Sequence, residues 1–239
     1  MPQIIKIDGQ YTLPATILDQ PNEKRFDYIY SNRLWGASTQ NESMSGAGST
    51  IAYTTIYRNQ LEQYFEQCWP NDFTFFDAPC GDLNWITKTL RENMRYIGGD
   101  ISNELITATQ QSYPNIELYQ FDIASHTFPE ADIWHCRHCL FHLSLEDVAK
   151  ALENFTNSDI DTALITNHFL PDAVTLDIPT GSFRFLDLTN FPFYLPNPEL
   201  WLLDYDPLGG KPAMATGVWK KHEVLHGVKN FKRLWHKQS

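Results

Sequence analysis

Residues 75–85 read FFDAPCGDLNW, an apolar run that ends at Asp77 and then bends around a single glycine, Gly81. The apolar residues of 83–94 recur at helical spacing, which predicts a helix after the bend. Asp100 follows Asp77 at about the 20-residue spacing that is typical of the acid in a mononucleotide-binding unit. The stretch therefore favours a doubly wound fold with an adenosine-containing cofactor at the bend.

The same alternation continues on both sides of this stretch. Short apolar runs predict strands at 73–78, 96–99, 116–121, 131–136 and 162–166, and helical periodicity predicts helices at 51–68, 83–94, 102–112 and 144–155. Ser102 is expected to be a helix N-cap, and Ser144 opens a capping-box pattern with Asp147. The alternation predicts an α/β fold, a doubly wound, mostly parallel Rossmann-like sheet with helices on both faces.

Polar residues follow the predicted strands. Parallel strands place their carboxyl ends at one edge of the sheet, where ligands bind in open α/β folds. The residues at or just after these ends are Asp77, Asp100, Asp122, Arg137 and Asn167.

Two segments outside the alternating core are expected to cover it. Residues 31–50 are small and polar around Trp35, which is typical of a flexible linker or of a covering loop within an N-terminal helical and loop lid. Residues 176–210 are rich in proline and aromatic residues and predict an insertion on the substrate side. We expect a single domain over 1–239, with an extension and lid (1–70), a cofactor-binding core (71–170) and a substrate-side part (171–239).

The composition argues against nucleic acid as a partner, because 18 basic and 29 acidic residues give a net charge of −11 that repels phosphates. No stretch approaches the roughly 20 apolar residues of a membrane span, and no signal-peptide pattern opens the sequence. The four cysteines are too few for a disulfide scaffold, so a cytoplasmic location with reduced thiols is expected. The mildly basic residues after 219 are interpreted as a solvated tail.

The bend itself allows three interpretations: a cofactor loop, a nucleophilic Cys80, or a simple turn. No histidine adjoins Cys80 in the sequence to activate it. A pyrophosphate would need several glycines and a positive helix N-terminus, whereas this turn carries Pro79, one glycine and the carboxylate of Asp82. S-adenosylmethionine (SAM) has no phosphate and carries a sulfonium and an ammonium, so it is favoured over NAD.

The motif resembles the first motif of class I SAM-dependent methyltransferases, in the bacterial form D-x-P-C-G-D-x-N-W. The similarity continues through YIGGDIS, FDIAS, DIWHCRHCLFHLSLEDV and DIPTGSFRFLDL, and through the upstream ESMSGAGST. It implies that Asp77, Gly81 and Asp82 line the methionine end of SAM. The ribose would contact Asp100, the adenine Asp122 and Ile123, and the methionine carboxylate Arg137. The full implied cofactor set is Trp35, Ser49, Asp77, Pro79, Gly81, Asp82, Trp85, Asp100, Ile101, Asp122, Ile123 and Arg137.

The stretch HCRHCLFH at 135–142 allows a zinc site or a general base. No second C-x-x-C follows, so a closed zinc site is disfavoured and no metal is expected. An alcohol acceptor needs a base for its proton, and the catalytic candidates are His142, His138 and His168, each of which could equally be structural.

The acceptor is expected to be a small molecule or carbohydrate with a hydroxyl group, held by Asp177 and Arg184 beside the aromatic insertion. A salt bridge between these two residues that braces the insertion is the alternative. An amine acceptor, a catalytically inactive SAM-binding scaffold and a zinc-binding module remain open. Asp204 and Asp206 are interpreted as turn residues.

Overall fold

The computed structural model describes residues 5–7, 10–35, 42–170, 175–204 and 213–235. Asp206 lies outside these residues. The strands are β1 Ile5–Ile7, β2 Gln10–Thr12, β3 Phe73–Asp77, β4 Met94–Asp100, β5 Glu117–Gln120, β6 Ile133–Cys136, β7 Thr162–His168, β8 Leu200–Leu203 and β9 Met214–Lys220. The helices are α1 Ala15–Leu18, α2 Asn22–Ser31, α3 Thr55–Cys68, α4 Asn103–Ser112, α5 Leu145–Asn157 and α6 Lys221–Leu234, with short 3₁₀ turns at Ala47–Ser49, Ile86–Lys88 and Leu140–His142.

Seven strands form one sheet in the order β5-β4-β3-β6-β7-β9-β8. β3 to β7 pair in parallel, as the alternation predicts, and β9 pairs antiparallel with both β7 and β8. β1 and β2 form a separate antiparallel pair. The predicted Rossmann-like α/β fold is confirmed. β8 and β9 come after the predicted core and extend its sheet.

The sheet is buried on both faces because successive residues of its central strands point to opposite sides. In β7, Ala163 and Ile165 pack into the cluster that contains apolar residues of α5 and α6. Leu164 between them packs into the opposite cluster, which contains Tyr57, Leu61, Tyr64 and Phe65 of α3. The alternating core therefore fixes the register of the strands, and with it the positions of the residues that follow their carboxyl ends.

The predicted helix at 83–94 is wrong, since only the 3₁₀ turn Ile86–Lys88 forms there. Gly81 and Leu83 both have left-handed backbone angles, with φ of 61° and 58°, and a right-handed helix does not pass through such residues. Leu83 and Ile86 are buried in the core under α3, whereas Leu90 is exposed. The apolar residues whose spacing suggested a helical face are thus buried from a loop that packs against the core.

The N-caps of two helices are confirmed in part. The Ser102 hydroxyl accepts the Leu105 amide, and the Ser144 hydroxyl accepts the Asp147 amide. The return half of the predicted capping box differs, because the Asp147 carboxylate accepts Thr180 and Asn22 while the Ser144 amide donates to Thr180. The start of α5 is therefore bonded to α2 and to the inserted segment.

The interpretation of the C-terminal residues as a solvated tail is wrong for 221–234. These residues form α6, which buries Val224, Val228 and Phe231 against the sheet. Phe231 also stacks on Phe193, with ring centroids 5.1 Å apart. The basic residues lie on the outer side of an amphipathic helix, and a charge count alone does not distinguish that arrangement from a tail.

Candidate functional site

A cleft opens at the carboxyl ends of the parallel strands, as predicted. Its lining combines residues that follow β3, β4, β5 and β6 with residues of α2 and the start of α5. The lining residues are Asn22, Phe26, Tyr30, Trp35, Pro79, Asp100, Ile101, Phe121, Asp122, Ile123, Ala124, His138, Cys139, His142, Leu143 and Asp147. Eight of the residues selected from the sequence are among them: Trp35, Pro79, Asp100, Ile101, Asp122, Ile123, His138 and His142.

Asp100 is the buried carboxylate of this cleft. It ends β4, is 1 % exposed, and accepts hydrogen bonds from the Ser102 amide at 3.0 Å and the Gly81 amide at 3.2 Å. Burial raises the pKa of Asp100 to about 6, although these amides favour its ionised form. A carboxylate in this position can accept the hydroxyl groups of a sugar.

Tyr30 already donates one hydrogen bond to Asp100, with 3.2 Å between its hydroxyl and Oδ2. Its ring and that of Phe26 pack against Trp35, which in turn lies against His142 with ring centroids 5.1 Å apart. α2 and Trp35 therefore form an aromatic wall on one side of the cleft. The sequence pattern gave no signal for Tyr30.

One part of the cleft is formed by residues that follow β4 and β5. Asp122 accepts the Ala124 amide and the Ser125 hydroxyl, at 2.9 and 2.8 Å, and so stabilises its own turn. Ile101 and Ile123 supply apolar surface in the cleft. This combination of apolar side chains and a polar turn suits an aromatic heterocycle.

Residues 42–50, termed here the cover loop, pack directly on the glycine bend. A side chain at position 81 would meet the Ser45 hydroxyl at 2.4 Å, so only glycine fits there. Asp82 accepts the Met44 amide at 2.6 Å and the Ser43 hydroxyl at 3.2 Å. The carboxylate that the sequence assigned to the methionine end therefore anchors the cover loop.

Two further contacts fix the cover loop. The Asn84 side chain donates to the carbonyl of Ser49, and Arg137 Nη1 donates to the carbonyl of Gly48. A side chain at position 48 would approach His138 Nδ1 to 2.8 Å. Ser49 is buried in this contact and is not part of the cleft lining.

Arg137 forms a buried ion pair with Asp204, which follows β8. Nε and Nη2 of Arg137 bond the two carboxylate oxygens side-on, at 2.7 and 2.8 Å, and the Asp204 side chain is fully buried. The guanidinium also lies 5.2 Å from the ring centroid of Tyr57 and 5.1 Å from that of Trp85. The resemblance implies that Arg137 contacts the methionine carboxylate, but Nε and Nη2 of Arg137 are bonded to the protein's own Asp204. The interpretation of Asp204 as a turn residue is wrong.

His138 also contacts Asp204, with 3.2 Å between Nε2 and Oδ2. Burial opposes ionisation of Asp204, but Arg137 and His138 lower its pKa well below the usual range. Burial and the Arg137 charge in turn lower the pKa of His138. An imidazole that donates Nε2–H to a carboxylate keeps Nδ1 as its basic nitrogen, so His138 can act as a base at neutral pH.

The other two histidines differ in position. His142 lines the cleft, its Nδ1 lies 2.8 Å from the Ser182 carbonyl oxygen, and burial lowers its pKa to about 3. His168 accepts the Leu186 amide through Nδ1 at 3.3 Å and packs against Phe141 and Phe185. It is not part of the cleft lining, and its contacts connect β7 to the inserted segment.

Asp77 belongs to a buried network that sequence spacing missed. Its carboxylate contacts His135 Nδ1 at 2.6 Å and accepts the Tyr96 hydroxyl at 2.7 Å. His135 Nε2 lies 2.9 Å from the hydroxyl of Tyr57 on α3. Asp77 is 2 % exposed and lies beneath the bend, outside the cleft lining. The network joins β3, β4, β6 and α3 under the glycine bend.

The predicted substrate residues lie in the inserted segment. Asp177 is exposed and accepts the amides of Leu145 and Ile178. Arg184 is 5 % exposed and donates Nη1 to the carbonyl of Leu143. The ion pairs of the described residues do not include an Asp177–Arg184 bridge.

The alternatives that used cysteine are not supported. Cys80 is buried, and burial raises the pKa of its thiol well above the usual value, which disfavours a thiolate nucleophile. Cys136 and Cys139 are also buried free thiols, and Cys68 is the exposed one.

Within the part of the chain that the structure describes, no three His, Cys, Asp or Glu side chains converge to hold a metal ion. No helix there is long and apolar enough to span a bilayer.

The match to known proteins agrees with this geometry. Residues 76–158, from β3 to the end of α5, match the family of methyltransferase domains. The resemblance to class I SAM-dependent methyltransferases is confirmed, and SAM is the cofactor of this class. No curated protein matches the sequence.

Several solved structures share the fold. Magnesium protoporphyrin IX methyltransferase (ChlM) from Synechocystis PCC 6803 with bound SAM has a TM-score of 0.54 at 12 % identity, over 84 % of this chain and 98 % of that chain. The PH0226 protein from Pyrococcus horikoshii OT3 has a TM-score of 0.53 at 12 % identity, over 73 % and 93 %. Mitomycin 7-O-methyltransferase MmcR has a TM-score of 0.51 at 12 % identity, over 89 % and 77 %. Two other matched structures are covered over only 46 % and 52 % of their length.

Proposed function

We propose that the chain transfers the methyl group of SAM to a hydroxyl group of a small molecule or carbohydrate. The observation that carries the proposal is Asp100, a buried carboxylate at the end of β4 in a cleft walled by aromatic rings. Asp100 accepts the ribose hydroxyls, which requires that Tyr30 release its hydrogen bond. Ile101, Ile123 and Pro79 would hold the adenine, and Asp122 would supply a polar group to it.

The methionine end of SAM extends toward the glycine bend and the cover loop. Gly81 allows close approach of the backbone, and Asp82, Trp85 and Ser49 shape this end from behind. Asp77 and Arg137 act through their buried contacts, by holding the bend and the segment after β6 in place. Trp35 closes the cleft over the cofactor as part of the N-terminal lid.

The reaction is an in-line displacement in which an acceptor oxygen attacks the methyl carbon and the sulfonium leaves as a neutral thioether. Alignment contributes most of the acceleration of such a step. We assign His138 as the base that removes the hydroxyl proton, since Asp204 orients its ring and stabilises the imidazolium that forms. His142, with a pKa of about 3, is a weaker base, and His168 lies outside the cleft lining.

The acceptor enters from the inserted segment, where Arg184 and the exposed Asp177 provide polar groups. Residues 1–70 and 171–239 cover the cofactor-binding core of 71–170 within one domain. The net charge of −11 opposes nucleic acid as the acceptor. The free thiols agree with a reducing, cytoplasmic environment.

Calorimetric titration with S-adenosylhomocysteine (SAH) tests the cofactor site. Wild-type protein is expected to bind SAH and not NADH, and Asp100→Ala is expected to lose binding. Asp159→Asn, which changes an exposed carboxylate, is the matched control and should bind as wild type does. Absence of SAH binding by folded wild-type protein would refute the proposal.

Turnover tests the chemical step once binding is established. Methyl transfer from labelled SAM to hydroxyl-bearing acceptors should fall in His138→Gln, while SAH affinity is retained. Transfer to amines alone would replace O-methylation with N-methylation. SAH binding without transfer to any acceptor class would favour a SAM-binding scaffold.

A further inference from the structure

Arg184 has an unpaired hydrogen-bonding edge in a buried position. Its Nη1 donates to the Leu143 carbonyl and its backbone amide to the Phe141 carbonyl. Nε and Nη2 have no hydrogen-bond partner within the described chain. Buried donors on a charged group are costly to leave unpaired, so a ligand that supplies two acceptors at this edge is favoured.

A second arginine of the protein, Arg137, shows what the Nε–Nη2 edge of a guanidinium binds when it is paired. Arg137 uses Nε and Nη2 to hold both oxygens of the Asp204 carboxylate side-on. This fork matches the planar geometry of a carboxylate. Asp177 is the acid whose charge reaches Arg184, but it accepts two backbone amides and forms no bridge to Arg184 in the described structure. Among the described residues, none supplies a partner for this edge of Arg184, which leaves it open to an anionic ligand.

The position of Arg184 links it to the acceptor side of the cleft. Leu143, which accepts Nη1, and His142 beside it both line the cleft, and His142 Nδ1 contacts the carbonyl of Ser182, two residues before Arg184. The cofactor carboxylate Asp100 instead ends β4, and β3 and β6 separate β4 from β7. The inserted segment contacts β7, since the Leu186 amide donates to His168. Arg184 thus lies beside residues of the cleft lining, on the side of the inserted segment.

We propose that the methyl acceptor carries a carboxylate and that Arg184 binds it through Nε–H and Nη2–H. This inference rests on the proposed function and adds the chemical class of the acceptor, a hydroxy acid. A planar monoanion fits a single guanidinium edge better than a phosphate dianion does. The burial of Arg184 makes the contact selective, because a neutral acceptor would leave both donors unpaired.

The proposal is tested with formate, which does not require that the acceptor be known. The Arg184 Nε–H resonance is assigned from its loss in Arg184→Lys and followed in SAH-loaded protein during titration with formate, formamide and phosphate. Formate is expected to give a saturable shift and to bind at least about tenfold better than formamide, since each hydrogen bond to a charged partner is worth about that factor. Arg95→Lys, an exposed guanidinium paired with Glu117, is the control and should retain the shift.

Several outcomes would overturn the proposal. No response to formate, an equal response to formamide, or a response to phosphate alone would each exclude a carboxylate site. A formate response that the protein shows without SAH and loses when SAH is bound would assign the edge to the cofactor's own carboxylate. If Arg184→Lys does not fold, crystals of the wild-type protein soaked in formate provide the same readout.

Turnover gives the second readout. Hydroxy acids are expected to be methylated about 100-fold faster than their primary amides by wild type, because two charge-assisted bonds are lost with the amide. That preference should disappear in Arg184→Lys without loss of SAH affinity. SAH titration of the same samples separates the two ideas: failure to bind SAH refutes the methyltransferase proposal, whereas normal SAH binding with equal turnover of acids and amides refutes the carboxylate site alone.

Discussion

The affinity for SAH is expected to fall in acid because Asp100 must be ionised to accept both ribose hydroxyls. Its pKa is about 6 in the folded protein, raised by burial and by the nearby charge of Asp77, with the amides of Ser102 and Gly81 and the Tyr30 hydroxyl acting in the other direction. At about pH 5 roughly one tenth of the molecules carry the charged form, so the apparent affinity should be about tenfold weaker than at about pH 8. Proton release on binding should be about half a proton near pH 6 and should increase as the pH falls toward 5.

The assay is calorimetry with SAH across this range, in buffers of different ionisation enthalpy that reveal the released protons. Asp100→Asn should bind weakly and show no such dependence, whereas Asp159→Asn should retain it. An affinity that is constant between about pH 5 and 8, or a dependence that survives in Asp100→Asn, would show that Asp100 is not the ribose ligand.

The raised pKa of Asp100 also predicts how the stability of the protein depends on pH. A carboxyl whose pKa is raised from 3.8 to about 6 lets the folded state bind more protons than the unfolded state in that window. Its stabilising contribution is complete below about pH 4 and is lost as the pH rises through 6, by up to about 3 kcal/mol. Urea unfolding at several pH values should show this loss of stability in wild type and a smaller one in Asp100→Asn, and equal slopes in the two proteins would contradict the assignment.

Three further substitutions probe the supporting structure. Gly81→Ala forces a side chain into a left-handed turn against the cover loop and should destabilise the protein by more than about 1 kcal/mol in urea unfolding. Asp204→Asn leaves the buried Arg137 charge without its carboxylate and should cost about 3–5 kcal/mol in the same assay, and a loss below 1 kcal/mol would contradict the ion pair. Tyr30→Phe removes a donor that competes for Asp100 and should strengthen SAH binding by about tenfold in calorimetry, whereas weaker binding would show that the hydroxyl contacts the cofactor.

The sheet could be predicted because its information is local. Apolar runs and helical spacing identify β3 to β7 and most helices between them, and Ser102 caps α4 as its position suggests. The helix at 83–94 failed because its apolar residues are held by a left-handed turn and by α3, which lies earlier in the chain. The positions of β8 and β9 in the sheet were equally hidden, since antiparallel pairing at the edge has no signature in the spacing of a single strand.

The candidate site was predicted where residues directly follow strands, as for Asp100 and His138. Asp204 was missed because its partner Arg137 lies 67 positions away, although an acid directly after the apolar run LWLL is a signal for a buried pair. Tyr30 was missed because α2 reaches the cleft through tertiary packing. Contacts that close over long sequence distances depend on the whole fold and not on any local pattern.

The strand order also has a consequence for folding while the chain is being translated. β9 lies between β7 and β8 although it is made after both, so β8 has no neighbouring strand in the described sheet until Met214–Lys220 has left the ribosome. Asp204 follows β8 and is placed against Arg137 only at that stage. A nascent chain stalled before β9 can pair β3 to β7 yet exposes an unpaired strand and an uncompensated arginine, features that chaperones and proteases recognise. The antiparallel end of the sheet is thus completed last, by its final strand.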